Sequence, residues 1–345
     1  MPIELTSVWE TATLQDPWGN LSEQRIEHRT DPLTGVVASF NTALGEKARQ
    51  FLGTTDLELL SKLEESSRGA CPFCSAAEKG THYLPAFSAD KQIRLGKALA
   101  MPNLFSKCAH DSVVIVDPQR HVLAATKIEV GVLADTLRLS ASLVQRVRAQ
   151  DGALVHHAVG MNFLQPGGSS VPHPHFQVHV RGVPYSNVAR VLSRSKEHAQ
   201  AAGESFWTAL VAAERASGQR YVGATGPVEW LAAWAPSGQR EVWGVLPGAS
   251  SLLELDEAGA AGFAAGLSKV ASHYERIGQH PFTLAFFSSP DAGRRDFALH
   301  VRICARPALR SLFVNYDTWF SPKLLGDEVH TEAPESLAAA LRAGW

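Results

Sequence analysis

The sequence predicts an α+β protein made of two related units in one chain, and two observations predict it. A β-branched strand, a proline, a long amphipathic helix, a second strand, a polar loop and a third strand follow one another from Asp111 to Val180. The same order returns from Glu241 to Ala305, as a duplicated unit would repeat it. The 345 residues, 45% apolar and 19% charged, suffice for two globular units of ordinary size. A formal charge of −2 gives no electrostatic reason to expect nucleic acid as a partner.

Taken in order, residues 1–24 hold Trp9, Trp18 and several turn formers without clear periodicity, and read as an N-terminal extension packed on the outside. They have neither a basic leader nor an apolar core, and no window of the chain approaches a membrane span, so a cytoplasmic protein without a membrane partner is expected. Ala43 to Glu65 reads as one or two helices with Leu52, Leu57, Leu59, Leu60 and Leu63 on the apolar face. Cys71-Pro-Phe-Cys74 ends them; in a chain without a secretory signal, a metal knuckle or a redox pair outranks a structural disulfide.

Asp111–Asp117 is a buried type of strand stopped by Pro118. Leu133, Leu137, Val144 and Val147 mark an amphipathic helix that runs to Gln150, and Val155–Phe163 is a second strand. After Gly182 the chain turns helical at Val188–Leu192 and Phe206–Ala216. The repeat follows: strand Glu241–Leu246, Pro247, a helix with Phe263, Leu267, Val270 and Tyr274 on one face, then strands Phe282–Ser288 and Phe297–Ala305. The last of these carries His300-Val-Arg302-Ile-Cys304.

The chemistry concentrates in Asn162–Arg181. A loop of small residues (Pro166, Gly167, Gly168, Ser169, Ser170) leads into alternation that puts His173, His175, Gln177 and His179 on one parity. On a strand, such residues line one face. The glycines can turn backbone N–H groups toward an anion, and the prolines at 172 and 174 suit an edge strand. A neutral imidazole can act as a nucleophile, and a Gln beside it can donate a hydrogen bond but no proton near neutral pH.

Asn162, Gly167, Gly168, Ser170 and Pro172-His173-Pro174-His175-x-Gln177 resemble the Asn…Gly-x-Ser-x-Pro-His-Pro-His-x-Gln signature of the galactose-1-phosphate uridylyltransferases, the transferase branch of the histidine-triad superfamily. The resemblance covers roughly residues 25–320. It implies two fused histidine-triad-like halves, each an antiparallel sheet with packed helices: residues 25–200 with the active site, and a degenerate 201–345. His175 is then the nucleophile that takes a nucleotidyl group from a nucleoside diphosphate ester as a phosphoramidate, with Gln177 and Ser170 in the catalytic set; the family's transferases carry Gln where histidine-triad hydrolases carry His, which implies transfer over hydrolysis. Arg29, Asn103, Asn162, Gly167, Gly168, Ser169, Gln177 and Arg310 contact substrate. Arg29 lies in a segment, RIEHRTDPLTG, similar to the family's His-Arg-Arg-x-x-Pro-Leu-Thr-Gly; Asn103 follows Pro102, and Arg310 lies in Pro307-Ala-Leu-Arg310-Ser311.

The resemblance further implies a structural zinc held by Cys71, Cys74, His173 and His121. Pro118-Gln-Arg-His121 is one residue longer than the family's Pro-x-His, leaving His110 and Cys108 as rivals for the fourth place. The family's second metal site is expected to be absent: Val191, Phe286, Phe287 and Arg302 stand at or near its ligand positions and only His300 remains. The substrates implied are a nucleotide sugar or other nucleoside diphosphate ester and a phosphate-bearing acceptor, and a homodimer is compatible with the reading. The sequence LFVNYDTWF after Arg310 departs from the family's Lys-Phe, which weakens galactose as the sugar. A phosphorylase of a nucleotide sugar or dinucleotide is the alternative enzyme, and a non-catalytic nucleotide-binding protein the alternative of another class.

Overall fold

The computed structural model describes residues 3–45, 53–312, 315 and 318–345. Leu52 of the expected helical face and part of the stretch after Arg310 lie outside them. Among the described residues, fourteen strands form two sheets. The larger has ten strands in the order β4-β5-β6-β8-β7-β12-β13-β11-β10-β9, every neighbouring pair antiparallel. Its first five are β4 (Ile93–Leu95), β5 (Ala98–Pro102), β6 (His110–Ile115), β7 (His156–Phe163) and β8 (His175–Arg181). The others are β9 (Tyr221–Thr225), β10 (Val228–Ala232), β11 (Val242–Leu246), β12 (Phe282–Phe287) and β13 (Leu299–Ala305). The two sets are not separate sheets: β7 pairs with β12, and the ladder is continuous.

The register of that junction reveals the duplication. Gly160 pairs with Ala285, Gln177 lies opposite Gly160, and Arg302 lies opposite Ala285. A two-fold axis through the Gly160/Ala285 pair exchanges the halves, and the offset of 125 residues that relates those two also carries His175 to His300, Gln177 to Arg302 and His173 to Ala298.

One face of the ten-stranded sheet is covered by two long helices, α3 (Val130–Gln150) and α6 (Glu257–Arg276), which pack on each other across the same axis. The apolar stripes read from sequence face inward: Leu133, Leu137, Val144 and Val147 on α3, and Phe263, Leu267, Val270 and Tyr274 on α6, are all buried. Each such side chain contributes about 1.5–3 kcal/mol by leaving water. Asp56 caps α1 (Leu57–Arg68) by accepting the Leu59 N–H at 2.9 Å; of the one or two helices expected over Ala43–Glu65, residues 46–52 lie outside the described residues.

The other face is covered unevenly. Over the second half lie α4 (Ser186–Ala202) and α5 (Phe206–Ser217), whose Val191, Phe206, Trp207 and Leu210 pack on Leu231, Trp243 and Val245. Over the first half, among the described residues, sits the Cys71–Cys74 knuckle with α2 (Ala76–Lys79), packed on Leu99, Met101, Val113 and Ile115. Between them the sheet is open: Ala285 is exposed in the middle of ten strands, with Gly160, Asn162 and Thr283 half-buried around it. No described helix is long and apolar enough to cross a membrane.

The extension expected at residues 1–24 is a hairpin, β1 (Thr6–Gln15) with β2 (Leu21–Thr30), continued by β3 (Val37–Phe40) and β14 (Glu328–His330) into a second sheet. β2 runs through residue 24. Nearly every residue of β1 is exposed on both faces, so no alternating pattern marked it as a strand. α7 (Pro334–Arg342) ends the fold.

Candidate active site and metal centre

β8 is not an edge strand. It lies between β6 and β7, and the prolines are tolerated because both precede its first residue, His175. His175, Gln177 and His179 share the open face. The His175 ring is buried; its Nδ1–H donates to the His173 carbonyl at 2.8 Å, which leaves the Nε2 lone pair uncommitted. Burial lowers its pKa from the ordinary imidazole value, so the ring is neutral near pH 7.

The loop before β8 departs from the sequence reading in one respect. Its N–H groups do not all point outward: those of Gly167 and Ser169 donate to the Leu164 carbonyl at 3.0 and 3.1 Å, and that of Gly168 to Gln165 at 2.8 Å. Gly168 has φ +89°, a conformation available to glycine at little cost. A Cβ on Gly168 would lie 3.5 Å from the Asn162 carboxamide, so Asn162 and the loop converge. Ser170 is exposed, while the Ser169 hydroxyl donates to the Val171 carbonyl at 2.7 Å. The second half grips this loop through residues that carried no signal in sequence. Thr283 Oγ1 donates to the Gly167 carbonyl at 3.0 Å, and Arg306 Nε to that of Pro166 at 3.3 Å.

Cys71, Cys74, His121 and His173 come together with their ligand atoms all within 4.8 Å of one another. Cys108 instead bonds the His110 carbonyl at 3.1 Å, so neither of those rivals joins the four. His173 donates Nε2–H to the Asp117 carbonyl at 3.0 Å, so its Nδ1 carries a lone pair. Ser67 uses its only proton on the Leu63 carbonyl at 2.6 Å, so it must accept from His121 Nε2 at 2.8 Å, and the His121 Nδ1 is likewise unprotonated. The two lone-pair nitrogens face each other at 3.2 Å. Burial and the neighbouring Cys71 push the Cys74 thiol up to about 11. A shared cation relieves the repulsion between the nitrogens and lets the thiols ionise; the four residues can hold a metal ion.

Three of the residues expected to contact substrate also meet protein groups. Arg29 is buried between Trp234 and Phe40, 4.2 and 4.7 Å from the ring centroids, and pairs with Glu335 and Glu27 at 3.0 Å each. Asn103 donates to Asp111 at 3.1 Å and accepts the Phe105 N–H at 3.1 Å, holding its own turn. Arg310 packs against Gly53, where an added Cβ would fall 2.8 Å from the guanidinium carbon.

No family model matches the sequence. An uncharacterized protein of Archaeoglobus fulgidus is 27% identical over 329 residues, spanning 95% of this chain and 94% of that protein. An ADP-glucose phosphorylase from Arabidopsis thaliana, solved with ADP-glucose bound, superimposes with a TM-score of 0.69 at 18% identity, covering 92% of this chain and 98% of that one. A GalT-like protein from the same plant gives 0.69 at 18%, covering 93% and 99%. A uridylyltransferase mutant gives 0.65 at 19%, covering 92% and 97%. The chain has the uridylyltransferase-type fold.

Within that fold the second half keeps the backbone of the site and loses its access. His300 Nδ1 donates to the Ala298 carbonyl at 2.9 Å, as His175 does to His173. Its Nε2, however, accepts from Arg302 Nε at 3.3 Å, and Trp207 of α5 lies over the ring at 4.0 Å between centroids, with Phe287 on it at 4.9 Å. Arg302 is held between Trp243 and Phe287, 4.2 Å from each. Ala298 stands where His173 would ligate.

Proposed function

We propose that this protein is a nucleotidyltransferase in which His175 takes a nucleoside monophosphate from a nucleotide diphosphate ester and passes it to a phosphate-bearing acceptor. The observation that carries the reading is the state of His175: neutral, with Nδ1–H tied to the His173 carbonyl at 2.8 Å and Nε2 free on the open face of the sheet. Nε2 attacks the α-phosphorus, a P–N bond forms, and the bond from that phosphorus to the bridging oxygen breaks, releasing the sugar phosphate. A phosphate oxygen of the acceptor then attacks the same phosphorus and the P–N bond breaks, restoring the imidazole. Gln177 donates to a phosphoryl oxygen and cannot activate water. Asn162, Gly167, Gly168, Ser169 and Ser170 surround the phosphate position.

Zinc suits the four-residue cluster. With Zn–S near 2.3 Å and Zn–N near 2.05 Å, a tetrahedron has S···N edges of about 3.6 Å and N···N edges of about 3.3 Å. Three of the four S···N edges here are 3.3, 3.5 and 3.6 Å, and the N···N edge is 3.2 Å. When bound, the ion supplies a structural cross-link that holds the start of β8. Metal analysis of protein purified without added zinc should give about one equivalent per chain; none, together with a Cys71–Cys74 disulfide, would sink the assignment.

The division of labour proposed is an active half over residues 25–200 and a supporting half over 201–345. A hexose 1-phosphate is the first acceptor to try. The loss of the family's Lys-Phe after Arg310 keeps a second reading in view, a phosphorylase with inorganic phosphate as acceptor. Incubation with UDP-glucose plus galactose 1-phosphate, and with ADP-glucose plus phosphate, separates the two by product. Intact-mass detection of a nucleotidyl adduct that disappears in His175→Gly tests the mechanism common to both.

A further inference from the structure

Between the two cysteines of the knuckle lies a residue that the chemistry above leaves unused. The Phe73 ring meets the His175 imidazole edge to face, with centroids 4.9 Å apart and planes at 66°, and meets His173 at 6.1 Å and 81°. Phe73 is buried, and it packs with Ile115 and Val113, the cross-strand partners of His175 and Gln177. It therefore touches His173, His175 and β6, the strand paired with His175.

His175 needs such a contact. Its hydrogen bond to the His173 carbonyl anchors one ring atom, but an imidazole pivoting on that atom still swings Nε2 through an arc. In-line attack tolerates little of that, since about 1 Å of misplacement costs roughly 100-fold. A flat ring against the imidazole supplies the second constraint, in the geometry aromatic pairs prefer. Phe73 can press there only while Cys71 and Cys74, on either side of it, are fixed.

We propose that Phe73 is a positioning residue through which the metal centre acts on His175: the knuckle, closed by its ion, holds the Phe73 ring against the nucleophile and aims Nε2. The proposal rests on the function proposed above.

The test compares Phe73→Leu, which keeps apolar bulk but no flat ring, with Phe73→Tyr, which restores the ring. Single-turnover adduct formation with a nucleotide sugar, donor affinity and bound metal are measured together. At saturating donor, Phe73→Leu should form the adduct roughly 10- to 100-fold more slowly, with donor affinity and metal content as in the native protein, and Phe73→Tyr should recover most of the rate. An unchanged rate in Phe73→Leu would overturn the proposal. So would a loss proportional to lost metal, or one confined to donor affinity. Nitrogen NMR of ring-labelled histidine gives a readout that needs no turnover: the His175 signal, identified by its absence in His175→Gly, should report a single Nδ1–H form in the native protein and a mixture in Phe73→Leu or after chelation. If the native protein forms no adduct with any donor, the proposed function fails, and the NMR comparison alone decides for Phe73: a mixture upholds the positioning role, a single unchanged form overturns it.

Discussion

His175 and His300 occupy equivalent places on one continuous sheet, each with Nδ1–H on the carbonyl two residues back, yet only one stands on an open face. Over the first half lies a small knuckle that leaves Gln177, Gly160 and Asn162 within reach; over the second lies α5, whose Trp207 sits on the His300 ring. Two residues on, Gln177 leaves the Nε2 of His175 alone, whereas Arg302 occupies that of His300. The strand that carries a histidine thus does not make it a nucleophile. What covers the strand, and which donor stands two residues on, decides whether the same backbone is a site or a core.

Exchange of function between the halves should fail by the largest margin. His175→Gly should lower adduct formation by several orders of magnitude, as sites lose most of their rate with the nucleophile. His300→Gln should leave adduct formation within a few-fold while costing about 1–3 kcal/mol of stability, because a fully buried, hydrogen-bonded ring is replaced. Intact mass and urea unfolding on both variants check the pair, and equal losses of rate would end the distinction.

Removing the cover of the second half is the next largest step. Trp207→Ala should destabilise by about 3–5 kcal/mol without producing an adduct on His300, since Arg302 still takes its Nε2. Peptide mapping of the adduct in Trp207→Ala combined with His175→Gly would reveal a hidden second nucleophile if one existed.

Acid should destabilise the fold through buried imidazoles in both halves. His157 on β7 is buried with Nε2 2.6 Å from the Ser288 hydroxyl, and burial pushes its pKa down to about 4; the matching residue of the second half is Phe282. An unfolded imidazole titrates near 6.5, so between there and pH 4 the unfolded chain binds the extra proton and stability falls with pH, by roughly 3 kcal/mol for this group. His330, also pushed to about 4 by burial, acts in the same window. Denaturant midpoints from pH 7.5 to 5 should decline, and His157→Phe should flatten the slope by close to one proton.

The smallest effect concerns Gln177 and its counterpart. Gln177→His places a protonatable group beside the intermediate and should raise hydrolysis relative to transfer by roughly tenfold. Arg302→Gln, remote from the intermediate, should leave that ratio unchanged. Parallel assays of transfer and hydrolysis decide; a shift with Arg302→Gln would bring the second half into the chemistry.

Sequence alone determined the parts whose pattern is local. The apolar faces of α3 and α6 were legible because a helix repeats every 3.6 residues wherever it sits, and His175, Gln177 and His179 because alternation orders one strand; His173, expected on the same strand, lies in the bend before it. Cys71 and Cys74 were legible as a pair, and the family resemblance supplied His121 despite its extra residue. The exposed β1, the short β4 and β5, and the hairpin of β9 and β10 lacked such a pattern: both faces of β1 meet solvent, and β10 is buried on both. Sequence does not report that Arg29 pairs with Glu335 or that Asn103 bonds to Asp111. Only the tertiary structure joined the halves into one ladder, put Phe73 against His175, brought Thr283 and Arg306 to the active-site loop, and laid Trp207 over His300. Those contacts join residues far apart in the chain, and burial and hydrogen-bond geometry between them exist only once the whole sheet has formed.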